Sequence, residues 1–390
     1  MQKTTTRTKS SKNNEYQVPN STQSNPKQPD FKKKRLSLSI KLIKKHTPDY
    51  PGYSDEDEMI PTFAIKNSST YLIIGTDRKI TIIQDQQNIY SAKFLKYDGS
   101  TLSALYIDCL DCFLFLAKEG KELYIKDIDD KKPYLFMSFP HPSVGWFYSN
   151  QRQLRYSSCH RKLVYVQNSR FSQFLSVVNL DTKRIEFKFK NGLGYMNSFC
   201  LFGKYQNKIA ATSCWNILYI FVVSYSMKKL LAYNEFIINF DPEDESLDGS
   251  VSSLSACDID DEEYILLQSN IKAKTCARVL VFKVSGSELT KVAALYDDHS
   301  DSLDISLIDS RALGFCGCFE RHLLWVGFEF HLGIARVFAF DRRTNELQEL
   351  KSKRTKHFVK YPTEIQRRGD NFYCVGGEGQ LVKLSLNYLR

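Results

Sequence analysis

Seven times after residue 60 the chain repeats one pattern of apolar and polar positions: an apolar run, a short polar or glycine turn, then a second, alternating apolar run. The first runs begin near Tyr71, Cys112, Lys162, Lys208, Tyr264, Leu323 and Asn371, at intervals of 41, 50, 46, 56, 59 and 48 residues. Such intervals fit one four-stranded unit per step. A small sheet with an apolar stripe cannot bury that stripe alone, so units of this kind pack radially into a ring that shields their edges. The pattern predicts an all-β fold, a single seven-bladed β-propeller.

Within the first unit, runs 71–74 and 79–83 flank the turn Gly75-Thr76-Asp77-Arg78, and in the last, runs 372–375 and 380–386 flank Gly376 to Gly379. The corresponding second runs elsewhere are 123–128, 174–180, 218–223, 279–284 and 336–340. Turns such as Asp181-Thr182-Lys183 and 341–345 lead to outer strands at 184–188 and 346–350. Upstream, Leu36, Leu38, Ile40 and Leu42 alternate with Ser37, Ser39 and Lys41, the period of a half-buried strand. Only Asn387 to Arg390 follow the third strand of the last unit, too few to return as a fourth. Residues 35–390 are therefore read as the ring, with 35–43 as the outer strand that closes its last blade.

The units resemble WD-repeat blades, in which a strand, a tight turn and a strand ending near Asp precede the outer strand. The lettering departs from that family: Trp146, Trp215 and Trp325 are followed by Phe, Asn and Val, and no Gly-His pair opens a repeat. The resemblance spans residues 35–390 and implies a ring that presents loops to protein partners.

Charge is uneven. Residues 1–47 hold 12 Lys and Arg against two acids, while the body from Pro48 onward balances 42 bases with 42 acids. The formal +10 thus belongs to the N-terminal segment. Residues 1–34 are rich in Lys, Ser, Thr, Asn, Gln and Pro with almost no aliphatic residues, the composition of a disordered tail. Its end, Lys32-Lys33-Lys34-Arg35, fits an import signal or an anionic partner. The ten cysteines and the lack of an apolar leader point to a reducing compartment with free buried thiols. Cytoplasmic placement is expected, with nuclear as the alternative. The longest apolar run, 217–223, is far shorter than a spanning helix requires.

Motifs for chemistry are sparse. Cys109 and Cys112 form a CxxC, but the next cysteine is Cys159, so a second zinc-ligand pair is missing. Cys316 and Cys318 alternate with Phe315 and Phe319 as core residues would. Gly376 to Gly379 lack the Gly-Lys-Ser/Thr ending of a phosphate loop, and the seven histidines show no metal spacing. No nucleophile, base and orienting acid assemble in sequence, so no catalytic residue, metal or cofactor is expected.

Acidic runs at 241–245, 258–263 and 297–304 and a basic run at 351–356 stand out as partner-facing loops. The strongest candidates are Asp241, Glu243, Asp244 and Glu245 with Lys351, Lys353, Arg354 and Lys356. Basic residues also neighbour aromatics at 152–156 and 358–361, as in base-stacking surfaces. The sequence therefore leads to the expectation of a non-catalytic interaction scaffold within a multiprotein complex, with no small-molecule substrate. The alternative is a nucleic-acid-associated factor whose basic tail contacts phosphates.

Overall fold

The computed structural model describes residues 36–45, 62–74, 79–93, 103–117, 121–139, 154–169, 172–190, 196–213, 216–240, 251–269, 277–296, 312–319, 321–329, 334–354, 365–368, 371–375 and 380–388. Statements below concern these residues. They form seven four-stranded antiparallel sheets. In chain order blades 1 to 6 run from Thr62 to Lys93, Ser103 to Ser138, Leu154 to Lys190, Met196 to Ile237, Val251 to Tyr296 and Ala312 to Arg354. Blade 7 takes its inner three strands from Ile365–Arg368, Asn371–Val375 and Gln380–Tyr388. Its fourth is Leu36–Lys45, which pairs antiparallel with Gln380–Tyr388 from Leu36 opposite Tyr388 to Lys45 opposite Gln380.

The second strand of each blade carries an unbroken apolar run because both of its faces are covered there. In Lys162–Ser169, Leu163 and Tyr165 pack toward blade 2, whereas Val164 and Val166 pack toward blade 4. Repeated around the ring, this produces seven apolar clusters, one at each boundary between neighbouring blades. The last of them joins Tyr373 and Leu381 of blade 7 to Phe63, Tyr71 and Ile83 of blade 1, so the ring closes through packing as well as through backbone pairing.

Every blade carries a register irregularity in the pairing of its third and outer strands. A bulge there adds twist and turns the edge away from regular pairing with another sheet. Polar sequences are accepted on these outer strands for the same reason: their far side faces water. That explains a departure from the sequence reading, in which 351–356 is a loop. Lys351 to Arg354 belong instead to the outer strand Glu346–Arg354 of blade 6, with Arg354 opposite Ile334.

Two rims follow from the strand directions. On one, inner strands turn into second strands through two to five residues, and third strands turn into outer strands. From the other rim leave the connections between blades, five to sixteen residues long. Leu36 lies at the short-turn rim, since it starts an outer strand opposite the end of a third.

Burial makes the ring sensitive to base. The Cys112 thiol is pushed up from 9.0 to about 12, chiefly by burial, and the Tyr225 hydroxyl reaches about 12 for the same reason. In the unfolded chain such groups ionise near pH 8.5 and 10, while the folded ring keeps their protons. Their stabilisation is complete below pH 8 or so and is lost as pH rises toward their folded values. Melting temperature should fall steadily from about pH 9 to pH 11, followed by circular dichroism; a flat profile would contradict this burial.

Candidate functional site

The balanced charge of the body conceals a strong asymmetry. Between residues 154 and 240, which make up blades 3 and 4, there are twelve Lys and Arg against three acids, a net +9. The rest of the body is correspondingly acidic. Most of the described cations sit on the short-turn rim: Arg161 and Lys204 on inner-to-second turns, Lys183 and Lys228 on third-to-outer turns, and Arg184 and Lys229 opening the outer strands.

These turns form one continuous surface. His160 Nε2 donates to the carbonyl oxygen of Tyr205 at 2.8 Å, joining the turn of blade 3 to that of blade 4. The His160 ring also stacks on Tyr225 with centroids 4.2 Å apart, and the Tyr225 hydroxyl donates to the Gln206 carbonyl. Within blade 3, Arg161 pairs with Asp181 at 3.0 Å. Across the boundary, Lys228 of blade 4 approaches Glu186 of blade 3 at 3.7 Å, and Lys162 pairs with the same carboxylate at 2.9 Å.

Glu186 is the more enclosed of the two acids on this surface, its side chain 10% exposed against 56% for Asp181. Burial opposes its ionisation, but a hydrogen bond from Asn179 and the ammonium groups of Lys162 and Lys228 outweigh burial and hold the carboxyl below its usual range. It is therefore a fixed anion that spaces cations. Beside it opens a groove of about 510 Å³ lined by Thr182, Arg184, Ile185, Glu186 and Lys228. Among the described residues, Arg184 and Lys229 form no ion pair, and Lys183 meets only the Phe136 ring, at 4.9 Å.

Backbone conformation places three of these cations at tight turns. Arg161, Lys183 and Lys228 all have positive φ, of 53°, 54° and 53°. A side chain other than glycine in that region costs about 1 kcal/mol or more, and glycine or asparagine fills such turns cheaply, as Gly286 and Asn345 do here. Turns of other blades share this conformation at Gln86, Asp111 and Asp260, so it marks where the chain reverses rather than a use for the charge.

The same rim on blade 5 behaves differently. The acidic run 258–263 faces its neighbours: Asp258 accepts from the Gly203 amide, Asp261 pairs with Lys204, Glu263 with Lys208 and Asp260 with Arg342. It ties blades 4, 5 and 6 together, and so differs from the free partner-facing loop expected of it.

Other sequence candidates scatter. Asp241, Glu243, Asp244, Glu245 and Lys356 lie outside the described residues, as do Lys32, Lys33, Lys34 and Arg35 of the tail, Gly376 to Gly379 and 358–361. Lys353 is exposed on its strand, on a different blade from the basic surface. Of the CxxC, Cys112 is buried whereas Cys109 sits exposed on a turn with its sulfur 2.9 Å from the Tyr156 hydroxyl. That contact accounts for Tyr156 as inter-blade packing. Cys318 is exposed rather than core, because the register irregularity between Phe315 and Gly317 breaks the alternation. Cys159 is likewise exposed on a turn. Among the described residues no group of three His, Cys, Asp or Glu side chains could hold a metal ion, and no helix is long and apolar enough to cross a membrane.

No family model and no curated protein matches the chain. Solved structures do. Two of virginiamycin B lyase from Staphylococcus aureus, one selenomethionine-substituted and one a catalytically inactive form with quinupristin, align with a TM-score of 0.57 at 10% identity, covering 90% of this chain and 99% of theirs. In fold, the chain is similar to an enzyme. At that identity the likeness shows the seven-bladed ring alone. It nevertheless corrects the expectation of a non-catalytic scaffold, because that expectation leaned on the ring architecture, and a lyase is built on the same ring. The WD-repeat resemblance gains no support from these neighbours.

Proposed function

We propose that the ring binds a linear polyanion across the short-turn rim of blades 3 and 4. The six cations that this rim presents on two adjacent blades, Arg161, Lys183, Arg184, Lys204, Lys228 and Lys229, carry this reading. Exposed ion pairs such as Arg161 with Asp181 contribute little to stability, so an incoming phosphate or sulfate can compete for these cations, and Arg184 and Lys229 need not be freed first. Further charge lies in residues 1–35, nine Lys and Arg against two acids, which precede the blade 7 strand across the ring from this surface.

Salt dependence tests the proposal. Binding of fluorescein-labelled polyphosphate to the full chain, followed by anisotropy between about 50 and 200 mM salt, should weaken with a log–log slope of several units, about 0.7 for each single-strand phosphate neutralised. A slope near zero would contradict it.

A further inference from the structure

Tyr205 is 61% exposed, on a turn whose backbone is hydrogen-bonded to both neighbouring blades. It sits in the turn 203–207 of blade 4. From blade 3, His160 donates to its carbonyl oxygen at 2.8 Å. From blade 5, Asp258 accepts the Gly203 amide at 2.8 Å, while the exposed pair of Lys204 with Asp261 at 3.0 Å adds little and leaves Lys204 open to a phosphate. Within the turn, the Gln206 amide donates back to Gly203 at 2.6 Å, with Gly203 and Gln206 both at positive φ. Three blades thus fix a ring that projects into water.

An aromatic side chain left open on a fixed base, flanked by cations, is what a stacking contact requires. A tyrosine loses little conformational freedom on binding, and its face accepts any base while the neighbouring charges hold the backbone. Met227, 65% exposed on the third-to-outer turn of the same blade next to Lys228 and Lys229, offers a second apolar contact beside the charge. A purely charged ligand such as a sulfated sugar or polyphosphate would leave both groups without a role.

We infer that the polyanion bound here is single-stranded nucleic acid, with a base stacked on Tyr205 and the backbone led across Lys204, Lys228 and Arg184. This rests on the polyanion reading and narrows it to one ligand class. Duplex would present phosphates alone, its bases being stacked inside.

The test compares two labelled 12-mers of equal charge, oligothymidylate and its abasic counterpart, on the full chain and on Tyr205→Ala and Tyr205→Phe. Stacking of one base changes affinity by about five- to a hundredfold. Oligothymidylate is expected to bind tighter than the abasic strand by about that factor, Tyr205→Ala to abolish the difference without weakening the abasic strand, and Tyr205→Phe to keep it. If both strands bind the unaltered protein equally, or Tyr205→Ala weakens both alike, the stacking inference is overturned while polyanion binding stands. If neither strand binds at low salt, the polyanion reading itself falls. Tyr205 is exposed, so unchanged melting temperatures are expected to show that its variants fold.

Discussion

Deleting residues 1–45 is expected to unfold the ring under conditions where deleting residues 1–35 shifts its melting temperature by only about two degrees. The longer deletion removes the outer strand of blade 7, whose backbone pairs along the whole of Gln380–Tyr388. Each interstrand hydrogen bond contributes about 1 kcal/mol net. The loss also bares the edge of a third strand whose Leu381, Val382 and Leu384 are fully buried and belong to the clusters on both sides of the blade. A loss of about 5 kcal/mol or more is comparable with the whole stability of many proteins. Thermal melts of the two truncations decide it; equal midpoints would mean that closure rests on blade packing and not on this strand.

The second large effect concerns the basic rim. A variant carrying Lys183→Gly, Arg184→Glu, Lys228→Gly and Lys229→Glu should lose polyanion affinity by about a hundredfold near 0.1 M salt, if some four phosphate contacts go with it. Its design guards against a trivial explanation. Lys183 and Lys228 occupy left-handed turn positions where glycine is the relaxed residue, so the melting temperature should hold or rise while binding is lost. Opposite movement of stability and affinity is hard to obtain from damage to the fold. Reversing exposed cations elsewhere, Lys131 and Lys132 on blade 2 and Arg343 on blade 6, should change affinity far less. Equal loss from both sets would reduce the effect to net charge.

The repeat was legible because the second strands are buried on both faces and read as unbroken apolar runs: Tyr71, Cys112 and Lys162 each start or adjoin one. Inner strands such as Thr62–Ile65 and Ile365–Arg368 escape notice, being four residues long and too short to display a period. Outer strands are legible in part, as at 184–188 and 346–350, but polarity hides their ends, which is why Lys351 to Arg354 read as loop. Leu36, Leu38 and Ile40 stood out by their alternation with polar residues, and the missing fourth strand of the last blade showed where they pair.

The basic rim was missed for a different reason. Its cations are separated along the chain, from Arg161 through Arg184 and Lys204 to Lys229, and no window holds a run comparable to 32–35. A charge total taken over the whole body also cancels them against blades elsewhere. Counting charge blade by blade, once the repeat was known, would have exposed the +9. Tyr205 had no sequence signal at all: a lone tyrosine after lysine gives no hint that three blades fix its backbone.

The most direct test of the central claim is hydrogen exchange of the full chain with and without oligothymidylate at low salt, read by mass spectrometry. Slowed exchange should map to peptides covering 154–190 and 196–240, strongest at the turns 158–161, 180–183, 203–207 and 225–228, with blades 5 and 6 unchanged. Protection on blades 5 or 6 instead, or none anywhere while the strand stays bound through the N-terminal segment, would contradict a binding surface on blades 3 and 4.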